Sequence, residues 1–246
     1  AINVSNADLN YNENAAGIQI DSGATLSDDD GDADWHGGTL RVQITANNDA
    51  ADTLSIPDNV LGSINTNGMN ILDGATVIGT MDASEGTVTD SAALTITFNA
   101  TVTNELVQSV LRAIHYSNSS DEPSAFDRTI TYTATDTNGA VATGQHTRSI
   151  VVTALNDQPT LTATGSDPTF IQWGIPASVF SSAVASTVES GQSITAMTLT
   201  VSNLRDGASE VLRVDGANVQ LTDGFNVAAS ATNNLSVSVA VSGTTA

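Results

Sequence analysis

The sequence predicts an all-β chain: two β-units in tandem, with one short helix in the first. Three observations lead there. Short runs alternating apolar and polar residues, rich in Thr, Val and Ile, recur along the 246 residues. The pairs Asp73-Gly74 and Asn138-Gly139 lie between such runs and read as hairpin turns. The pattern also starts over. Ser149-Ile150-Val151-Val152-Thr153 leads into Asn156-Asp157-Gln158-Pro159, and a Thr-rich strand pattern resumes. The chain opens similarly, with Val4-Ser5-Asn6-Ala7-Asp8-Leu9 running into Tyr11-Asn12-Glu13-Asn14. Repetition at a period of roughly 150 residues marks a module of an array rather than a self-contained enzyme.

The elements follow in order. Strands are expected at 39–45, at 69–72 and 75–78 around Asp73-Gly74, and at 93–98. Leu106, Val107, Val110, Leu111 and Ile114 recur at helical spacing, so a helix is expected over 104–114. Thr103 or Asn104 caps it, and its apolar stripe should pack on a sheet edge. Strands at 114–117, 128–133 and 148–153 complete the first unit, 1–155. The second unit, 156–246, offers strands at 197–201, 210–214 and 235–239. It matches only the front half of the first and has no counterpart of the helix or of the strands after it. It is expected to be an incomplete sandwich, with open edges and an uncovered apolar face.

Charge narrows the function classes. There are 27 acidic and 6 basic residues, all of the latter Arg, for a formal net charge of -21. Such a surface repels nucleic acid and anionic membranes and suits cations or a salty medium. Cysteine is absent, which a domain of this size tolerates outside the cell as well as inside. No apolar run approaches the roughly 20 residues of a membrane span. No signal peptide is visible at the N-terminus, and the chain opens inside the repeat pattern, so it reads as a piece of something longer.

Catalytic constellations are missing. His36, His115 and His146 have no zinc spacing, and there is no G-x-S-x-G, phosphate loop or Cys nucleophile. Aromatic residues make up 4% of the chain, thin for a carbohydrate cleft. No enzyme is expected.

The densest chemistry is Asp28-Asp29-Asp30-Gly31-Asp32-Ala33-Asp34, five carboxylates in seven residues. Calcium takes about six to eight oxygen ligands, and a Gly-containing acidic loop can wrap it. Asp30, Asp32 and Asp34 imitate the start of an EF-hand loop. Trp35 stands where that loop needs Gly, and Arg41 where it needs Glu, so it is not one. The alternative is a solvated acidic turn, but five mutually repelling carboxylates favour a counter-ion. Trp35 itself is a core or lid residue, or an exposed platform for a sugar. Trp173 reads as packing near the junction.

A family resemblance rests on Leu111-Arg112-Ala113-Ile114-His115-Tyr116-Ser117-Asn118, Arg128-Thr129-Ile130, Thr135-Asp136-Thr137-Asn138-Gly139, Ile150-Val151-Val152 and Asn156-Asp157-Gln158-Pro159. Together these resemble the C-terminal half of a cadherin-like tandem repeat of large bacterial surface and secreted proteins. Repeats of chondroitin-sulfate-proteoglycan type are similar. The resemblance implies tandem Greek-key, cadherin/Ig-like β-sandwiches with Ca2+ at or near the junctions. It matches Glu13-Asn14 to the Glu-Asn near a repeat's start, Asp136 to an Asp-x-x-Gly or Asp-x-Asp motif, and Asn156-Asp157 to the linker. Ala154 and Gln158 depart from the linker pattern.

The metal set expected from both lines is Glu13, Asp28, Asp29, Asp30, Asp32, Asp34, Asp136, Asn156 and Asp157. The expected function is a structural calcium-binding region of an extracellular or cell-surface protein, in adhesion or surface-fibre assembly. The expected partners are neighbouring repeats, with other copies of itself or surface glycans as further candidates. The alternatives are a carbohydrate-binding module, for which an exposed Trp35 is the mark, and a unit that polymerises by completing sheets between chains.

Overall fold

The computed structural model describes residues 1–58, 63–99, 102–230 and 234–246. The chain divides into two units, 1–157 with 188–190, and 158–187 with 191–246.

Among the described residues the first unit holds fifteen strands in chain order. They are β1 (Ile2–Asn3), β2 (Leu9–Asn12), β3 (Ile18–Gln19), β4 (Thr25–Leu26), β5 (Thr39–Ala46) and β6 (Asp52–Ser55). Then come β7 (Ile64–Asn67), β8 (Asn70–Asp73), β9 (Thr76–Met81), β10 (Thr87–Thr89) and β11 (Leu94–Phe98). After helix α1 (Asn104–Arg112) follow β12 (His115–Asn118), β13 (Arg128–Thr135), β14 (Gly144–Gln145) and β15 (Thr147–Thr153).

These strands build an all-β sandwich. One sheet runs β2-β15-β13-β5-β11-β9-β8-β7, and a second runs β10-β6-β12-β3. The chain changes sheet repeatedly, from β3 to β5, β5 to β6, β11 to β12 and β12 to β13, as Greek-key connections do. A small third sheet, β14-β1-β4, joins the chain's start to the segment after β13. Parallel pairing of β2 with β15, Leu9 opposite Ile150 through Asn12 opposite Thr153, ties the start of the unit to its end.

The alternation read in the sequence sets the core. Leu40, Val42 and Ile44 of β5, Ile130, Tyr132 and Ala134 of β13, and Leu94, Ile96 and Phe98 of β11 all point inward. Tyr11 of the first sheet meets Tyr116 of the second edge-to-face at 5.1 Å between ring centres. Gly74 takes a φ of 60° between β8 and β9, the left-handed turn that Asp73-Gly74 announces.

Helix α1 is capped by Thr103, whose side chain accepts from the Leu106 N–H at 3.3 Å. Val107, Val110 and Leu111 are buried, each contributing about 1.5–3 kcal/mol of apolar burial. The helix lies on the β4 edge, as the stripe predicts. There the Gln108 side-chain oxygen accepts from Leu26 N, and Arg112 Nε donates to Ala24 O at 2.7 Å.

Among its described residues the second unit forms three strand pairs: β16 (Thr160–Gly165) with β17 (Phe180–Ser186), β18 (Val211–Val214) with β19 (Ala217–Gln220), and β20 (Asn226–Val227) with β21 (Val237–Ser238). Among its described residues, the buried apolar side chains are Val219 and Leu221. Two strand expectations are corrected. Residues 197–201 form no strand, and 235–239 shrinks to Val237–Ser238. Alternation makes a strand only where a neighbour pairs with it, and Met197 and Leu199 stay exposed. Among the described residues no helix is long and apolar enough to cross a membrane.

Candidate metal centre

The acidic cluster folds into a loop between β4 and β5. Gly31 turns it with a φ of 106°, a conformation that suits glycine alone, and Asp32–Trp35 follows as a single 3-10 turn. The next contribution comes from far along the chain. β13 ends at Thr135 opposite Thr39, the first residue of β5, so Asp136 arrives beside this loop. Asp28, Asp34 and Asp136 each place a carboxylate oxygen within 4.8 Å of the others. Oxygens bound to one calcium-sized ion at about 2.4 Å can lie no more than about 4.8 Å apart, so the three fit a single hard cation.

The triad is held from behind. Asp136 Oδ1 accepts the N–H groups of Asn138 and Ala140, both at 2.8 Å, within the Asn138-Gly139 turn. Asp28 Oδ1 accepts from Asp30 N at 3.0 Å, and Thr137 N donates to Asp34 O at 2.8 Å. A carboxylate has two oxygens and several lone pairs, so these bonds leave acceptor capacity on both side chains.

Asn104, the first residue of α1, joins the loop to the core. Its Oδ1 accepts from both Asp28 N and Trp35 Nε1 at 2.8 Å, and its own N–H donates to Asp32 Oδ1 at 2.8 Å. Partial desolvation, followed by the charges of Asp28, Asp30 and Asp136, raises the Asp34 carboxyl above its ordinary value.

The expected residues therefore separate. Asp28, Asp34 and Asp136 come together. Asp32 is taken up by the helix start, and Asp29 and Asp30 are exposed on the same loop. Glu13, Asn156 and Asp157 lie at the other end of the sandwich, where β2 and β15 finish side by side. That end is roughly 25 Å away, the length of β13.

Glu13 is 4% exposed, and its Oε2 is buried without a hydrogen-bond partner, as is Asp157 Oδ2. Buried carboxylate oxygens are ordinarily satisfied, so each of these two is a candidate ligand atom, while the acidic group gathered within reach of one ion among the described residues is Asp28, Asp34 and Asp136. Asp157 N donates to Glu189, Ser190 N donates to Glu122 Oε1 at 3.0 Å, and Asn14 Nδ2 donates to Asp121 Oδ1 at 2.8 Å. Sequence reading did not count Asp121, Glu122 or Glu189 among the site residues, and it took Asn104 only as a cap candidate of the helix. The Asp121-Glu122 pair, next to the Asn118 strand end, was the available signal. Asn156 is exposed, its amide donating to Asp157 O at 3.0 Å.

Trp35 is 2% exposed and packs edge-to-face on Phe98, with ring centres 6.3 Å apart. It is a core residue and offers no platform to a sugar. Trp173, expected to pack, is 94% exposed. No family model, no curated protein and no solved structure matches this chain.

Proposed function

We propose that this chain is a calcium-binding, cadherin-like structural region of a large extracellular or cell-surface protein, serving adhesion or surface-fibre assembly. The observation that carries the reading is the convergence of Asp28, Asp34 and Asp136 on one point from two distant segments. Carboxylates repel, and a fold that gathers three of them gains from a cation between them. The buried, unpartnered oxygens of Glu13 and Asp157 at the opposite pole support a second cation there. Ions at both ends of a sandwich would stiffen an array of such units, and their loss would let it flex. The chemistry is mechanical, with no turnover.

The test is a thermal melt of the chain in chelator and after adding back calcium or magnesium. A ligand that binds only the folded state stabilises it by about 2.7 kcal/mol at a hundredfold excess over its dissociation constant. The midpoint should rise with calcium and less with magnesium, which requires tighter octahedral geometry. An unchanged midpoint at low ionic strength would sink the proposal.

A further inference from the structure

We propose that the β16–β17 hairpin of the second unit is the interface through which two copies of this chain associate. All six residues of β16 and all seven of β17 are exposed. Their sheet is two-stranded, so the outer edge of β16 has no strand beside it among the described residues.

The pairing also builds an apolar face. Leu161 lies opposite Ala185, and Gly165 opposite Phe180, with a register shift between Thr162 and Thr164. Cross-strand partners share a face and alternate residues share a side, so Leu161, Ala163, Phe180 and Ala185 line one side. Leu161 is 59% exposed and Phe180 47%. The loop joining the strands adds Phe170, Ile171, Trp173 and Ile175, all more than 60% exposed. An isolated two-stranded hairpin is marginal in water. It needs further strands or a covering layer on its apolar face.

Charge selects the occupant. Residues 158–188 contain one charged side chain, Asp167, in a chain of net charge -21. A basic partner would be drawn to the acidic surface elsewhere. Two copies of an acidic chain repel each other everywhere except through a surface that carries no charge. In any register, β16 laid against a second β16 brings no like charges opposite one another, because neither β16 nor β17 contains an ionisable residue. A two-fold arrangement of this kind closes as a dimer.

The inference rests on neither cation group, so it is tested in chelator, where its failure leaves the calcium reading standing. Light scattering on the full chain should give twice the monomer mass, and association should strengthen as salt screens the acidic surfaces. Leu161→Lys and Phe180→Lys should return the chain to the monomer mass, Leu161→Val should keep the dimer, and Thr76→Lys on the first unit should leave it unaffected. The melt of the first unit, followed by Trp35 fluorescence with Trp173→Phe in every chain, should be the same in all four. A monomer at every salt concentration would overturn the proposal. So would association that weakens with salt or that survives both hairpin lysines.

Discussion

Arg128 and Asp52 tie the two sheets of the sandwich together, with Nε 3.1 Å from Oδ2 and both side chains wholly buried. Arg128 opens β13 in one sheet and Asp52 opens β6 in the other. The Tyr116 hydroxyl donates to Asp52 Oδ1 at 2.6 Å, and Asn118 Nδ2 donates to it at 2.7 Å. Arg128 Nη1 donates to the Ser124 and Phe126 carbonyls at 2.5 and 2.6 Å. Burial, then the hydrogen bond to Asp52, pushes the Tyr116 hydroxyl far above its ordinary value, so it stays a neutral donor.

Removing Arg128 leaves the Asp52 charge buried without a counter-charge, and removing Asp52 leaves Arg128 with only the more distant Asp49 carboxylate, at 3.9 Å. Asp52→Ala is therefore expected to cost about 3–5 kcal/mol in urea unfolding, and Arg128→Ala a similar amount. Replacing both with apolar residues should cost less than the sum of the two single changes, which a double-mutant cycle measures directly.

Asp34 carries a prediction with a definite sign. Its carboxyl is raised above the ordinary 3.8 by partial desolvation and by Asp28, Asp30 and Asp136. A raised acid binds its proton more tightly folded than unfolded, so ionised Asp34 opposes folding at neutral pH. The penalty is relieved as pH falls through the raised value towards 3.8. In chelator at pH 7, Asp34→Asn should melt above the parent, and the gap should close on acidification. In calcium the order should reverse. A variant that melts lower in both conditions would show that Asp34 has no such charge conflict.

Asn104→Ala removes no charge and keeps the backbone bond to Asp32, yet Asp28 N and Trp35 Nε1 lose their acceptor and Asp28 O loses the Asn104 Nδ2 donor at 3.4 Å. The expected cost is about 1–3 kcal/mol of stability. Calcium affinity, measured by titration calorimetry, should weaken with every carboxylate still present. Unchanged affinity would show that the loop is shaped without the helix.

Limited proteolysis separates the two units. The loop after β16, with Trp173 94% exposed and few buried side chains near it, should be nicked first. The first unit should persist as a fragment with a cooperative melt. Early cleavage within β5 or β13 would contradict the burial described above.

The sequence by itself determined the all-β class, the helix, the Asp73-Gly74 and Asn138-Gly139 turns and the inward faces of β5, β11 and β13, and it narrowed the helix cap to Thr103 or Asn104, of which the structure uses Thr103. These are local signals: period-two alternation, helical spacing, and turn residues that suit a left-handed backbone. It also marked the acidic loop and Asp136. Only the tertiary structure decided which acids meet. Asp28, Asp34 and Asp136 come together because β5 and β13 are paired strands whose ends coincide, and Asp32 leaves the group because a helix start claims it. The Asp52–Arg128 pair and the Asn104 keystone span 76 and 69 or more residues of sequence, beyond the reach of any local pattern. In the second unit the alternation at 197–201 was legible, but among the described residues its backbone pairing is confined to Val201, which exchanges hydrogen bonds with Ala246. Strand-forming residues state a preference, and a neighbouring backbone is what turns that preference into a sheet.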